Sequence, residues 1–160
     1  MQNGLPALMA GRSNVGNTEK QTGGLYDPEN EKARQMMMTV LLIEPGKKPR
    51  KAEIDGSLEG MQQVVGGYIQ ATFPFDDPVA LVCHEEGKLL GLPMNRALRD
   101  EEGDIYDIVS GTFFLCGAPP DSENFTSLGE EYLEKYRQWF CYPELFMKLN
   151  GKIICIPVVE

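Results

Sequence analysis

Residues 79–90 read Val79-Ala80-Leu81-Val82-Cys83-His84-Glu85-Glu86-Gly87-Lys88-Leu89-Leu90. An apolar run from Val79 to Cys83, ended by a polar stretch and a glycine, is too short for a typical helix and reads as a buried strand. His84 to Gly87 then supplies a four-residue hairpin loop, and Lys88-Leu89-Leu90 is expected to return as the partner strand. Short strands joined by tight turns assemble an antiparallel sheet.

Upstream, Pro74-Phe75-Asp76-Asp77-Pro78 separates this run from Tyr68–Phe73. There Ile69, Ala71 and Phe73 alternate with Tyr68, Gln70 and Thr72, the pattern of a half-buried strand. Before it, Ser57 is placed to cap a short helix carrying Leu58, Met61 and Val65, which Gly66-Gly67 stops. Thr39–Ile43 and Arg50–Ile54 flank Glu44-Pro45-Gly46 and form a first hairpin.

Downstream, Gly91-Leu92-Pro93-Met94-Asn95-Arg96 reads as a compact turn into a short helix, Ala97–Glu102, with Asn95 as its cap and Arg96 paired with nearby acids. Ile105–Cys116 reads as strand interrupted at Ser110-Gly111. After Gly117-Ala118-Pro119-Pro120, Ser127-Leu128-Gly129-Glu130 fits a capping box, and Leu133, Tyr136 and Phe140 form a helical apolar stripe with Tyr132 and Trp139 beside it. Asn150-Gly151 between Leu145, Met147, Leu149 and Ile154, Ile156, Val158 reads as a terminal hairpin; Pro143-Glu144 leaves a helical turn over 143–150 as the alternative. The expected fold is α+β: a mixed, mainly antiparallel small sheet built from hairpins, with one short helix and one C-terminal amphipathic helix packed on it. Residues 1–38 lack an apolar period and read as a flexible arm or linker before one globular domain, 39–160. Met36, Met37 and Met38 stand directly before the first strand as alternative starts.

The chain has 160 residues and a net charge of -9. The four acids of residues 1–38 cancel their four bases, so the whole net charge belongs to residues 39–160. Between Asp76 and Asp107 nine acids stand against Lys88, Arg96 and Arg99. Direct nucleic-acid binding is not expected, because it needs clustered bases and the one run is Lys47, Lys48, Arg50, Lys51. No apolar run approaches the ~18 residues of a membrane span, and Leu5–Ala10 is too short and interrupted for a secretory signal.

Catalytic and metal chemistry finds no support. Cys83 and His84 are neighbours on a strand and point to opposite faces. The cysteines 83, 116, 141 and 155 form no CxxC pair, which argues against zinc and for free thiols in a cytoplasmic setting. Asp100-Glu101-Glu102-Gly103-Asp104 has Ile105 and Gly111 where a calcium loop needs Gly and Glu. Neither a cofactor nor a catalytic residue is expected. Asp76-Asp77 read as turn residues ahead of Pro78. The most informative polar element is Gly91 to Arg96, and the candidate binding residues are Gly91, Pro93, Asn95, Arg96 and His84.

Three blocks together, Val65-Gly66-Gly67-Tyr68-Ile69, then His84 through Asn95, then Ile108-Val109-Ser110-Gly111-Thr112, resemble a family from phages, plasmids and conjugative elements catalogued as domain of unknown function 3846. The resemblance covers 39–117, leaving 118–160 as a helix-plus-strand extension. It implies no activity; it implies an accessory protein of a mobile element in a bacterial cytoplasm. The family's usual Asn at the position of His84 weakens a catalytic role there. The expected function is a non-enzymatic binding module for a protein or small ligand. The alternative is an anti-defence inhibitor whose acidic surface blocks a host nuclease or another DNA-binding protein.

Overall fold

A computed structural model describes residues 36–159. Its central sheet has five antiparallel strands in the order β2-β1-β7-β4-β3. These are β1 (Met37–Ile43), β2 (Arg50–Asp55), β3 (Ile69–Thr72), β4 (Val79–His84) and β7 (Phe113–Gly117). Two further hairpins complete the strands: β5 (Met94–Arg99) with β6 (Ile105–Ser110), and β8 (Glu144–Leu149) with β9 (Lys152–Pro157). The helices are α1 (Leu58–Val65) and α2 (Glu130–Trp139).

The sheet is covered on both faces. On one, α1 packs Met61 and Val65 against Val40, Ala80, Val82 and Phe114. On the other, Leu133, Tyr136 and Phe140 from the α2 region and Leu98 and Val109 from β5–β6 pack on Leu41, Leu81, Phe113 and Leu115. Two-sided burial explains why the middle strands are apolar without alternation, a pattern more familiar from parallel sheets.

The α+β architecture, both helices and the first and last hairpins match expectation. Ser57 Oγ accepts the Gly60 amide at 3.1 Å, and Gly66 closes α1 in the left-handed region. Asn150 and Gly151 both take positive φ, which a two-residue turn between twisted strands requires, so 143–150 forms no helical turn. The break at Ser110-Gly111 is where the chain leaves the β5–β6 hairpin and enters the central sheet.

Several expectations are corrected. Residues 97–102 are not helical: Met94–Arg99 is a strand with Asn95, Arg96, Ala97 and Leu98 consecutively buried. Burial against the sheet overrides the helical preference of Ala-Leu-Arg. Lys88-Leu89-Leu90 does not pair with β4, whose two edges are already taken by β3 and β7; it winds through successive turns instead. Ser127 does not cap α2: Gly129 occupies the cap position, and Ser127 Oγ accepts the Thr39 amide at 2.8 Å. Phe73 lies beyond β3 and is exposed. The arm expected over 1–38 falls outside the described residues up to residue 35, whereas Met37 and Met38 already belong to β1.

Candidate functional site

The turn that follows β4 is held by its backbone: the Leu90 amide donates to Glu86, Gly91 to Lys88 and Leu92 to Gly87. Gly91 adopts φ +72°, which a side-chain-bearing residue would strain. Leu92 then lies across Gly111, where an added Cβ would stand 2.8 Å from Leu92 Cδ1. Together the turn, the strand β6 and Ile153 of β9 wall an open groove of about 710 Å³. Leu92, Pro93, Met94, Ile105, Tyr106, Ile108 and Ile153 provide its apolar surface. Its polar groups are Ser110 and the ion pair between Lys88 and Asp107. Both partners of that pair are substantially exposed, so it orients the rim and adds little stability.

Directly after the groove-lining Met94 the chain enters a buried polar network. Asn95 Nδ2 donates to the Ile43 carbonyl at 2.9 Å and to the Gly111 carbonyl at 2.8 Å, tying the start of β5 to β1 and to the bend. Arg96 donates from Nη1 to Asn95 Oδ1 at 2.9 Å, from Nη2 to the Lys47 carbonyl at 2.6 Å and from Nε to the Phe140 carbonyl at 3.2 Å. Burial lowers its pKa, an effect opposed by the charge of Glu144.

Of the five candidate binding residues, Gly91 and Pro93 line the groove. Asn95 and Arg96 have no exposed surface. The cap and surface-ion-pair roles expected for them are replaced by structural ones: Asn95 ties β5 to Ile43 and Gly111, and Arg96 ties it to Lys47 and Phe140. His84 lies apart, with its ring against Gly67 and its Nδ1 accepting the Glu86 amide at 2.9 Å. Its neighbour Cys83 is pushed up to about 11 by burial and then by Asp107, which keeps the thiol protonated at neutral pH. Leu92, Ile105, Tyr106 and Ile153 escaped the sequence reading. Ile105-Tyr106 beside an acidic turn was the available cue, but strand residues of that type are as often core as surface.

Eight of the nine acids between 76 and 107 fall in three places, and the ninth, Asp107, sits on β6 paired with Lys88. Asp76-Asp77 precede β4 and Glu85-Glu86 follow it, so the length of a six-residue strand, about 20 Å, separates them. Asp100, Glu102 and Asp104 gather at the far tip of β5–β6, with carboxylate oxygens within 4.8 Å of one another. There Asp100 Oδ1 accepts the amides of Glu102 and Asp104 and shapes the turn. Among the described residues no helix is long and apolar enough to cross a membrane.

A family model described as Domain of unknown function (DUF3846) matches residues 38–141. The match runs through α2 and ends before β8. No curated protein and no solved structure matches the chain.

Proposed function

This chain belongs to the family described as Domain of unknown function (DUF3846), and from that membership and the groove's geometry we propose that it is a non-enzymatic binding module. The groove takes a small apolar ligand or a short apolar segment of a protein partner. The observation that carries this is the groove itself: about 710 Å³ of concave, mainly apolar surface with one charged pair and a serine at its edge. That size and composition fall within the range of ligand sites. The Asn95 bonds to Ile43 and Gly111 support the reading, because they fix the chain beside the groove-lining Met94 and Ser110, and a preformed wall lowers the ordering cost of binding. The setting of an accessory protein in a bacterial mobile element is part of the proposal and rests on the family resemblance.

Titrating isotope-labelled protein with apolar fragments and with short apolar peptides tests the reading. Shifts should concentrate at Leu92, Met94, Ile105 and Tyr106, and an Ile105→Asp variant with an unchanged fold should lose at least about tenfold in affinity, roughly 1.4 kcal/mol. Shifts that map elsewhere, or equal binding by the variant, would sink it.

The anti-defence alternative needs one continuous acidic face. The division of the acids between the two ends of β4 and the tip of the β5–β6 hairpin speaks against it.

A further inference from the structure

We propose that the occupant of the groove is an extended segment of a partner protein that adds a strand to the open edge of β6; this rests on the reading of the groove as a binding site. β6 pairs with β5 and with no other strand. Among the described residues, no backbone bond from outside that pair reaches 105–110. Ile105, Tyr106, Asp107 and Ile108 line the groove one after another. Side chains of a strand point alternately to its two faces, so a groove lying on one face would take every second residue. A consecutive set places the groove along the edge of the strand, where backbone N–H and C=O groups stand.

The Gly111 amide donates to the Pro93 carbonyl, so those two residues form a bonded pair, and bonded and non-bonded pairs alternate from there. Followed through the one-residue shift between Met94 and Arg96, the alternation makes Ala97 and Ile108 a non-bonded pair. The backbone groups of Ile108 therefore face the open edge. Its amide donates to the side chain of Asp107, to Oδ1 at 2.8 Å, and the same oxygen holds the Lys88 ammonium. Asp107 thus stands where the carbonyl of an added strand would stand, and Lys88 retains it when that carbonyl arrives. Towards the end of β6 the edge closes, for a Cβ on Gly87 would come within 2.7 Å of the Ser110 carbonyl oxygen. The open stretch is 105–108, ~13 Å long and enough for about four residues.

The edge is guarded against indiscriminate pairing. The register shift between Leu98 and Arg99 leaves Tyr106 as an extra residue in β6, and a bulge and an edge charge both discourage unselective strand addition. A partner must therefore also supply apolar side chains to the walls formed by Leu92 and Ile153. Charge fixes the character of its end. Asp100, Glu101, Glu102 and Asp104 are exposed on the turn directly before Ile105, and among the described residues no Lys or Arg pairs with them. In antiparallel addition the C-terminal end of the segment reaches that turn. The segment that fits is apolar, about four residues long and followed by Lys or Arg. A small apolar ligand would use neither the backbone edge nor these acids.

The probe is a capped peptide of alternating leucine and threonine ending in lysine, titrated into the isotope-labelled full chain. The Ile108 amide should shift, and its hydrogen exchange should slow as the peptide saturates the groove. Methylating the peptide's backbone nitrogens one at a time should weaken binding at least about tenfold at alternate positions and by less than about twofold at the others. Replacing the lysine by glutamate should weaken it at least about threefold at low salt. Asp107→Ala, which frees the Ile108 amide, should tighten the peptide at least about threefold, although it removes an acid from the site. Equal binding by every methylated peptide, unchanged exchange at Ile108, or no gain in Asp107→Ala would overturn strand addition while leaving the groove a binding site. Shifts absent from the groove with apolar fragments and with the peptide alike would overturn the binding site itself.

Discussion

Arg96 is a fully buried cation whose donors go to carbonyl oxygens of Phe140 and Lys47 and to Asn95. Acceptors on three separate residues suit a planar fork with fixed directions and do not suit a single ammonium. Arg96→Lys should therefore lower the free energy of unfolding by about 3 kcal/mol, because it strands buried acceptors and opens space around a shorter side chain. Urea denaturation measures this, and a loss below ~1 kcal/mol would show that the network contributes less than its geometry indicates. The importance of the Asn95-Arg96 pair was visible in the sequence; its burial was not. Charged residues are almost always at the surface, so the chain alone points an Arg outward.

At the scale of elements, local patterns located α1 by its Ser57 cap, α2 by its apolar stripe and the last hairpin by its Asn150-Gly151 turn. They misplaced β5, since Ala97-Leu98-Arg99 favours a helix and only pairing with β6 and burial on the sheet make it extended. Gly60 illustrates the same contest inside α1. Replacing a helical glycine by alanine ordinarily stabilises by ~1 kcal/mol. Here the new Cβ would stand 2.2 Å from the Asp55 carbonyl oxygen, so α1 would have to move off β2. Gly60→Ala should thus lower the melting temperature, by several degrees if the cost is ~1–2 kcal/mol. An unchanged or raised melting temperature in a thermal scan would mean that the helix shifts freely.

At the scale of the whole molecule, α2 is fastened to the loop before β4 by Asp77, whose Oδ2 accepts from Lys135 Nζ at 2.6 Å and Tyr136 Oη at 2.7 Å. The hydrogen bond from Lys135, then that from Tyr136, holds Asp77 below its ordinary value of 3.8. Burial, then the same carboxylate, raises the Tyr136 phenol above its ordinary value of 10.0. A depressed acid stabilises the fold above its unfolded pKa and loses that contribution as pH falls through the lowered value. A raised phenol stabilises below its unfolded pKa and loses that contribution as pH rises beyond it. Stability should therefore be level between about pH 5 and 9 from this latch and fall on both sides. Asp77→Asn should flatten the acid limb in urea midpoints measured against pH, while leaving an alkaline limb set by burial of Tyr136. Asp77 itself was legible only as a turn residue before Pro78, because its partners lie 58 and 59 positions along the chain. Amino-acid order by itself determined what depends on near neighbours: the strands of the central sheet, two helix positions, the closing turn and the net charge. Tertiary structure alone decided what depends on distant ones: which strand edges were free, that Asn95 and Arg96 face inward, and that the acids gather at separate places. Backbone periodicity acts over a few residues, whereas burial is a property of whatever the rest of the chain brings alongside.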